Sequence, residues 1–455
     1  MDLDVSTRGH RFMSSARRAF VYLLATAVGC MPFAATADEP VIDVEHYQAR
    51  VEPDLATRTV RGVVSIAFVG DAKEAVFDAG ELKIDSVELK ESPVSFVRDG
   101  SKLRIALPRR LTRRSTLQVR YHGAPRLGLE FHPDRNEIYT IFSTSQWLVS
   151  VDAPSERATL DLEIVLPFDF VVAATGRSAG RRRTGDGRVA HRWRLTTPAP
   201  SFTYGFAAGR YTEARDASAG TRLRFLSTDM GTDELRQVFA NTGDMIRFFE
   251  RHAGTAFKGD YTQVLVTRTI GQEAAGLALL SEQYGRTVLE DSTAEGLIAH
   301  EIAHQWWGVS VTCSDWGHFW LNEGFATFMS AVYLGHRHGA SEYAGQVEKW
   351  KSRWEKLKAA GTDRSLVYAT WSKPSADDRA VVYQKGAYVL HLLRLEMGED
   401  AFWRGIRRYT RKHAGRSVDT DDFKAAITAA AGRDLTDFFA EWIDGPLITE
   451  FRFRP

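Results

Sequence analysis

The chain has 455 residues, of which 59 are basic and 58 acidic, and 44% are hydrophobic. That length calls for two or three buried cores rather than one. The formal net charge of +1 supplies no global field toward nucleic acid or an anionic membrane, which argues against both as partners.

The first feature in chain order is Arg17-Arg18, then an apolar run from Ala19 to Cys30, then Ala35-Thr36-Ala37 ahead of Asp38-Glu39-Pro40. Positive charge, a short apolar stretch and a small-residue cleavage site, in that order, read as a secretory signal over residues 1–37. The run is shorter than the roughly 20 apolar residues that span a bilayer, so no transmembrane span is expected in the mature chain. A start at Met13 leaves a tidier signal. Ala27-Val28-Gly29-Cys30 resembles a bacterial lipoprotein site, although Ala27 stands where a larger aliphatic residue is usual, so anchoring through Cys30 remains an alternative. Cleavage removes one of two cysteines and leaves Cys313 alone, which excludes an intramolecular disulfide. These features suit a bacterial periplasmic enzyme.

From about residue 42 to 212 the pattern is short and period-two, with Val60 to Val69, Leu103 to Leu107, Leu117 to Tyr121 and His191 to Leu195 as strands. Residues 38–213 are therefore expected to form a β-sandwich-like domain. Its basic clusters, Arg109-Arg110 with Arg113-Arg114 and Arg181-Arg182-Arg183, sit beside Pro108 and Gly180 and are expected in solvated turns. No aromatic platform is interleaved with them, as nucleic-acid binding would want.

Ala214 to Gly220 is small and polar and is the expected boundary of a second domain, residues 214–455. Beyond it the period becomes helical: Leu235, Val238, Phe239, Thr242, Ile246 and Phe249 predict one amphipathic helix ended by Gly254. Further helices are expected around 293–307, 321–335, 342–359 and 383–397. No internal repeat or low-complexity tract is present.

His300-Glu301-Ile302-Ala303-His304 follows Ser292 and Glu295, a capping-box pattern that favours helix. Residues four apart share a helix face, so both imidazoles can reach one ion, while Glu301 lies one step round and can reach a water at an open position. Glu323, nineteen positions after His304, completes a two-His, one-Glu set suited to one zinc ion. His336 and His338 are expected at the surface, Cys313 as a buried structural thiol, and Trp306, Trp307, Trp316 and Trp320 as core around the ligand helices.

The run His300 to Gly308 with Trp320 to Phe325 at this spacing resembles the gluzincin aminopeptidases, the family of aminopeptidase N and leukotriene hydrolase. The resemblance implies an α+β, multidomain chain: a β-rich N-terminal domain, then a thermolysin-like, mostly helical zinc peptidase domain with a small sheet. Val382 to Ala387 resembles the family element whose tyrosine stabilises the tetrahedral intermediate, which makes Tyr383 the candidate. Asp152 to Leu162 and Phe439 to Pro446 resemble further family segments. Gly271 to Leu277 stands where the family carries a Gly-Ala-Met-Glu-Asn element. It keeps Glu273 as candidate anchor for a substrate α-ammonium but lacks the Met and Asn, and the Gln-x-Glu of the β domain has no match at Ile138 to Gln146. The chain stops ten residues after Gly445, where most relatives continue into a helical domain, so a partner subunit is one source of cover for the cleft. The implied activity is an aminopeptidase acting on peptides through zinc, with Glu301 as base. The altered element keeps a zinc endopeptidase in play, and a non-catalytic peptide-binding protein is the third reading.

Overall fold

The computed structural model describes residues 42–445 apart from residues 71, 112, 218–219, 269–270, 369–370 and 372–373. The expected signal, Cys30 and Pro446 lie outside the described residues.

The N-terminal half is β. An eight-stranded sheet runs in the order Arg177–Arg183, Val189–Pro200, Arg157–Leu166, Ile42–Asp54, Thr59–Gly70, Ser115–Gly123, Lys83–Leu89, Ser92–Pro93. Its inner strands tend to alternate buried positions with more exposed ones, as in Ser115–Gly123, because one face covers a core and the other meets water. A three-stranded and a four-stranded sheet contribute to the same core, where Val64, Phe68, Phe77, Leu117, Trp147 and Phe206 are buried. The four expected strands all form. The basic clusters meet expectation only in part, since Arg113 and Arg114 are exposed between two strands. Lys102–Leu111 runs through Arg109 and Arg110, and Arg181 to Arg183 lie in the exposed edge strand Arg177–Arg183. Charge along such a strand blocks edge-to-edge association, and Arg182 pairs with Glu163 on a neighbouring strand.

The second half opens with a sheet rather than a linker. Thr212–Asp216 pairs with Leu223–Ser227, so Ala214 is sheet residue and is buried. The five strands run Thr212–Asp216, Leu223–Ser227, Tyr261–Val266, Leu277–Ser281, Gly271–Ala274, and the middle three are parallel. Tyr261–Val266 is buried at every position, as a parallel strand covered on both faces must be. Ala214 reads as linker only because its pairing partner, Phe225, lies eleven residues on, beyond any local period.

Helices follow. The expected helix over 235–249 is two, α1 (Thr232–Val238) and α2 (Thr242–Ala253), with all six marker residues buried; Gly254 ends α2 at φ 71°. Then come α3 (Glu282–Glu290), α4 (Gly296–Ala303), α5 (Trp320–His338), α6 (Ala340–Ala359), α7 (Ala376–Ala380), a π-helical turn over Val381–Lys385, and α8 (Gly386–Met397). Helix α4 starts later than Ser292 implies: Glu295 is its N-cap and makes no side-chain cap bond, while Asp291 caps a separate turn through Thr293. Among the described residues no helix is long and apolar enough to cross a membrane.

The halves share an apolar seam. Tyr139, Ile141, Ala207 and Tyr211 pack on Leu226, Val264, Ala274 and Leu279 of the five-stranded sheet. Arg157 also joins the halves, donating to Thr312 Oγ1 at 2.9 Å and to the Val309 carbonyl at 2.8 Å.

Candidate metal centre and active site

Helix α4 is buried at seven of its eight positions because α2, α5 and the sheet enclose it. His300 and Glu301 lie on it and His304 caps it. Helix α5 carries Glu323 in its first turn, and Ser330 Oγ donates to the Gly296 carbonyl at 2.6 Å to tie the two helices together. His300 Nε2 lies 3.1 Å from His304 Nε2 and 3.1 Å from Glu323 Oε2, and His304 Nε2 lies 3.4 Å from the same oxygen. Ligands about 2.0–2.1 Å from a tetrahedral ion stand about 3.3–3.4 Å from one another, so two imidazoles and a carboxylate at this separation fit one zinc ion. His304 Nδ1 faces the Trp307 carbonyl at 3.0 Å. The proton therefore sits on Nδ1 and leaves Nε2 as the donor atom for a metal. Gly308, at φ 139°, makes room for that ring: a Cβ there would lie 2.8 Å from His304 Nδ1.

Without an ion these groups form a charged cluster. Burial alone would raise the Glu323 pKa, but His304 and the hydrogen bonds from both imidazoles outweigh it and hold the carboxyl well below its usual range. Burial works against a charged His304, yet Glu323, Glu273 and Glu301 together raise it well above an ordinary imidazole. Burial lowers His300.

Glu301 is 2% exposed, and its Oε2 has no hydrogen-bond partner among the described residues. A buried carboxylate oxygen left open is where a water or substrate proton is to be met. Burial drives its pKa up. The other oxygen sits against Gly271, where a Cβ would come within 2.5 Å of it. Glu273 occupies the edge strand Gly271–Ala274, opposite Ala278, and one of its oxygens shares a cluster with ligand atoms of Glu301 and His304, all within 4.8 Å. Burial also raises Glu273. Tyr383 lies in the π turn, its ring parallel to His300 at 8° and 6.2 Å between centroids. Burial and then the Glu323 carboxylate push its hydroxyl pKa well above the usual phenol. All six residues singled out in the sequence thus meet in one place.

Several supporting residues escaped the sequence. Gln305 accepts from the Gly276 backbone at 2.9 Å and donates to the Ala274 carbonyl at 3.0 Å, clasping the end of the Glu273 strand to the end of α4. Gln272 accepts from the Phe142 backbone at 2.8 Å and donates to the Glu273 carbonyl at 3.0 Å. Phe142 holds φ 53°, so the region where the Gln-x-Glu has no match is tied to Glu273 through a left-handed residue. Asn322 accepts from the Cys313 backbone at 3.0 Å. Only adjacency to His304, Glu273 and Glu323 in the sequence could have pointed to these three. Trp306, Trp307, Trp320 and Cys313 are buried core, Trp316 is half-buried, His336 is exposed and His338 pairs with Glu295 at 2.9 Å.

Residues 43–203 match the Peptidase M1 N-terminal domain and residues 244–442 the Peptidase family M1 domain. The chain is 25% identical over 283 residues to leucine aminopeptidase 2 of Aspergillus fumigatus (61% of this chain, 45% of that one). It is 24% identical over 444 residues to aminopeptidase M1 of Arabidopsis thaliana (88% and 50%). It spans about half the length of these curated relatives. Among solved structures, the M1 zinc metallopeptidase from Deinococcus radiodurans matches with TM-score 0.77 at 22% identity, covering 91% of this chain and 97% of that one. Yeast LTA4 hydrolase matches with TM-score 0.76 at 20% identity, covering 91% and 69%. The two matched segments cover both halves of the chain, and the fold and donor set agree with them: this chain belongs to peptidase family M1.

Proposed function

We propose that the chain is a zinc-dependent aminopeptidase, exported to the bacterial periplasm, that releases N-terminal residues from peptides. Glu273 carries the reading. It is a buried carboxylate within reach of the base and of a metal ligand, and the neutral amide of Gln272 lies 3.4 Å from its Oε2. A substrate α-ammonium supplies the cation such a group lacks and forms a charge-assisted hydrogen bond with it.

His300, His304 and Glu323 would hold a zinc ion, which would supply the Lewis acidity that polarises a carbonyl and activates water at neutral pH. Glu301, with one oxygen open to the site, takes the proton from the attacking water and returns it to the leaving amine. The Tyr383 hydroxyl, kept protonated by burial, donates to the developing oxyanion. Glu273 fixes the amino terminus, so the first peptide bond is the one presented. Export rests on the order of charge, apolar run and Ala35-Thr36-Ala37 in residues 1–37. A partner subunit is the candidate cover for the cleft.

The test is one peptide in free and N-acetylated forms, incubated with zinc-loaded protein and followed by mass spectrometry. Stepwise loss from the free form alone is expected. Internal cuts in both forms would make the protein an endopeptidase, which the altered Gly271 to Leu277 element favours, and silence in both would return weight to a binding protein. For export, the mass of the secreted chain should begin at Asp38.

A further inference from the structure

Lys385 is a charged residue with almost no exposure. Its side chain is 2% exposed, and Nζ lies 2.7 Å from Asp363 Oδ1 and 2.5 Å from the Arg364 carbonyl. The second oxygen of Asp363 accepts from the Trp354 indole on α6 at 3.0 Å. Arg364 in turn reaches Asp378, at 2.9 Å, just before the π turn. Residues 363 and 364 thus grip the turn at both ends, through Asp378 ahead of it and Lys385 at its close, while α6 braces them from behind.

A π turn inserts one residue into the helical register and rotates its side chains away from the α positions. What it presents therefore depends on how its ends are held. Tyr383 is the middle residue of that turn, and its ring lies parallel to the His300 imidazole. Burying an ammonium is unfavourable unless it is paired, and replacing both members of such a pair by apolar side chains of similar volume is often neutral or stabilising. What the ion pair adds over an apolar filler is direction: it sets the distance from the turn to residue 363. None of these contacts touches substrate or metal ligands.

We infer that Lys385 is a positioning residue for Tyr383, its ion pair with Asp363 pinning the π turn so that the phenol stays over His300 and beside Glu323. The inference rests on the reading of Tyr383 as the oxyanion donor. A misplacement of about 1 Å at a reacting group can lower the rate about a hundredfold without touching binding. Loss of the pin should therefore fall on kcat rather than KM.

The experiment uses the full zinc-loaded chain and leucyl 4-nitroanilide. Lys385→Met, Asp363→Asn and Lys385→Arg are each made in the native and the Tyr383→Phe backgrounds, with zinc content and thermal melting measured alongside. Lys385→Met and Asp363→Asn are expected to lose about ten- to a hundredfold in kcat, with KM within about twofold and zinc retained. Lys385→Arg should recover most of the loss. In the Tyr383→Phe background neither substitution should lower kcat further, because a residue acting through Tyr383 has nothing left to position. If Lys385→Met does not fold, Asp363→Asn makes the same comparison with shape retained. Unchanged kcat in both, or an equal loss in both backgrounds, would overturn the inference while leaving Tyr383 in its role. Full activity of Tyr383→Phe alone would instead remove the oxyanion reading, and the inference with it.

Discussion

Gly324 and Gly386 meet backbone to backbone where α5 crosses the start of α8: a Cβ built on Gly324 would lie 3.1 Å from Gly386 Cα and 3.2 Å from the Val382 carbonyl oxygen. The contact has a direct bearing on the site. Gly324 follows the ligand Glu323, and Gly386 follows the π turn that carries Tyr383, so this crossing sets how near the carboxylate and phenol lie. Gly324→Ala forces the helices apart, since backbone atoms cannot swing aside as a side chain can. The expected loss of stability is about 1–3 kcal/mol, read as a lower melting temperature. If the melting point held and kcat were unchanged, the close approach would have no part in the geometry.

Glu301→Gln removes the proton acceptor and preserves shape. Because Glu301 is not one of the three donor atoms that meet at 3.1–3.4 Å, the variant should keep one zinc per chain. Loss of a general base of this kind lowers kcat by about 10²–10⁴-fold. Zinc by atomic absorption together with peptide turnover checks both halves, and normal turnover would remove Glu301 from the mechanism.

The metal-binding set and the base were legible in the sequence because their chemistry is local, whereas Glu273 and Tyr383 were reached only through the family resemblance. His300, Glu301 and His304 occupy adjacent turns of one helix, and Glu323 lies on the next helix but for a short strand and a 3₁₀ turn, so spacing alone could bring them together. What was not legible depends on long-range pairing. Ala214 looks like linker until Phe225 lies opposite it in the sheet, and Arg181 to Arg183 look like a turn until Val189–Pro200 pairs with them. The break between α1 and α2 is hidden for another reason. Phe239 and Thr242 keep the apolar spacing across it, so burial continues where the helix does not. Gln305 and Lys385 act on residues 29 and 22 positions away, at distances no periodicity records.

Gln305 offers a test of the amine pocket that leaves Glu273 itself in place. Its amide holds the hairpin at Ala274 and Gly276 with two hydrogen bonds, and Glu273 is the residue before Ala274. Gln305→Leu has similar volume but cannot make either bond, so the buried Ala274 carbonyl and the partly buried Gly276 N–H lose their partners, at about 1–3 kcal/mol for the buried one. The hairpin is then free to shift Glu273 from the substrate ammonium. The expected result is a rise in KM for free peptides that exceeds the fall in kcat. A pure loss of kcat with KM unchanged would mean that Gln305 acts on the metal helix and not on Glu273.

Metal loading should depend on pH with a sign fixed by His304. The surrounding carboxylates raise its pKa in the folded chain to about 10, so in the absence of metal the imidazole carries a proton through the neutral range. In the metal-free fold this protonation is stabilising below the ordinary imidazole pKa of about 6.5, and the contribution is lost as pH rises through the folded value. A zinc ion needs the same ring neutral at Nε2 and must displace the proton. Affinity should accordingly increase by about tenfold for each pH unit between 6 and 8, with about one proton released per ion bound from this residue. Glu323 adds no further slope in that window, because its carboxyl is held well below its usual range and is already ionised. Chelator competition at several pH values gives the slope, and calorimetry in buffers of different ionisation enthalpy gives the proton count. A flat affinity across that range would mean that His304 is neutral before the ion arrives.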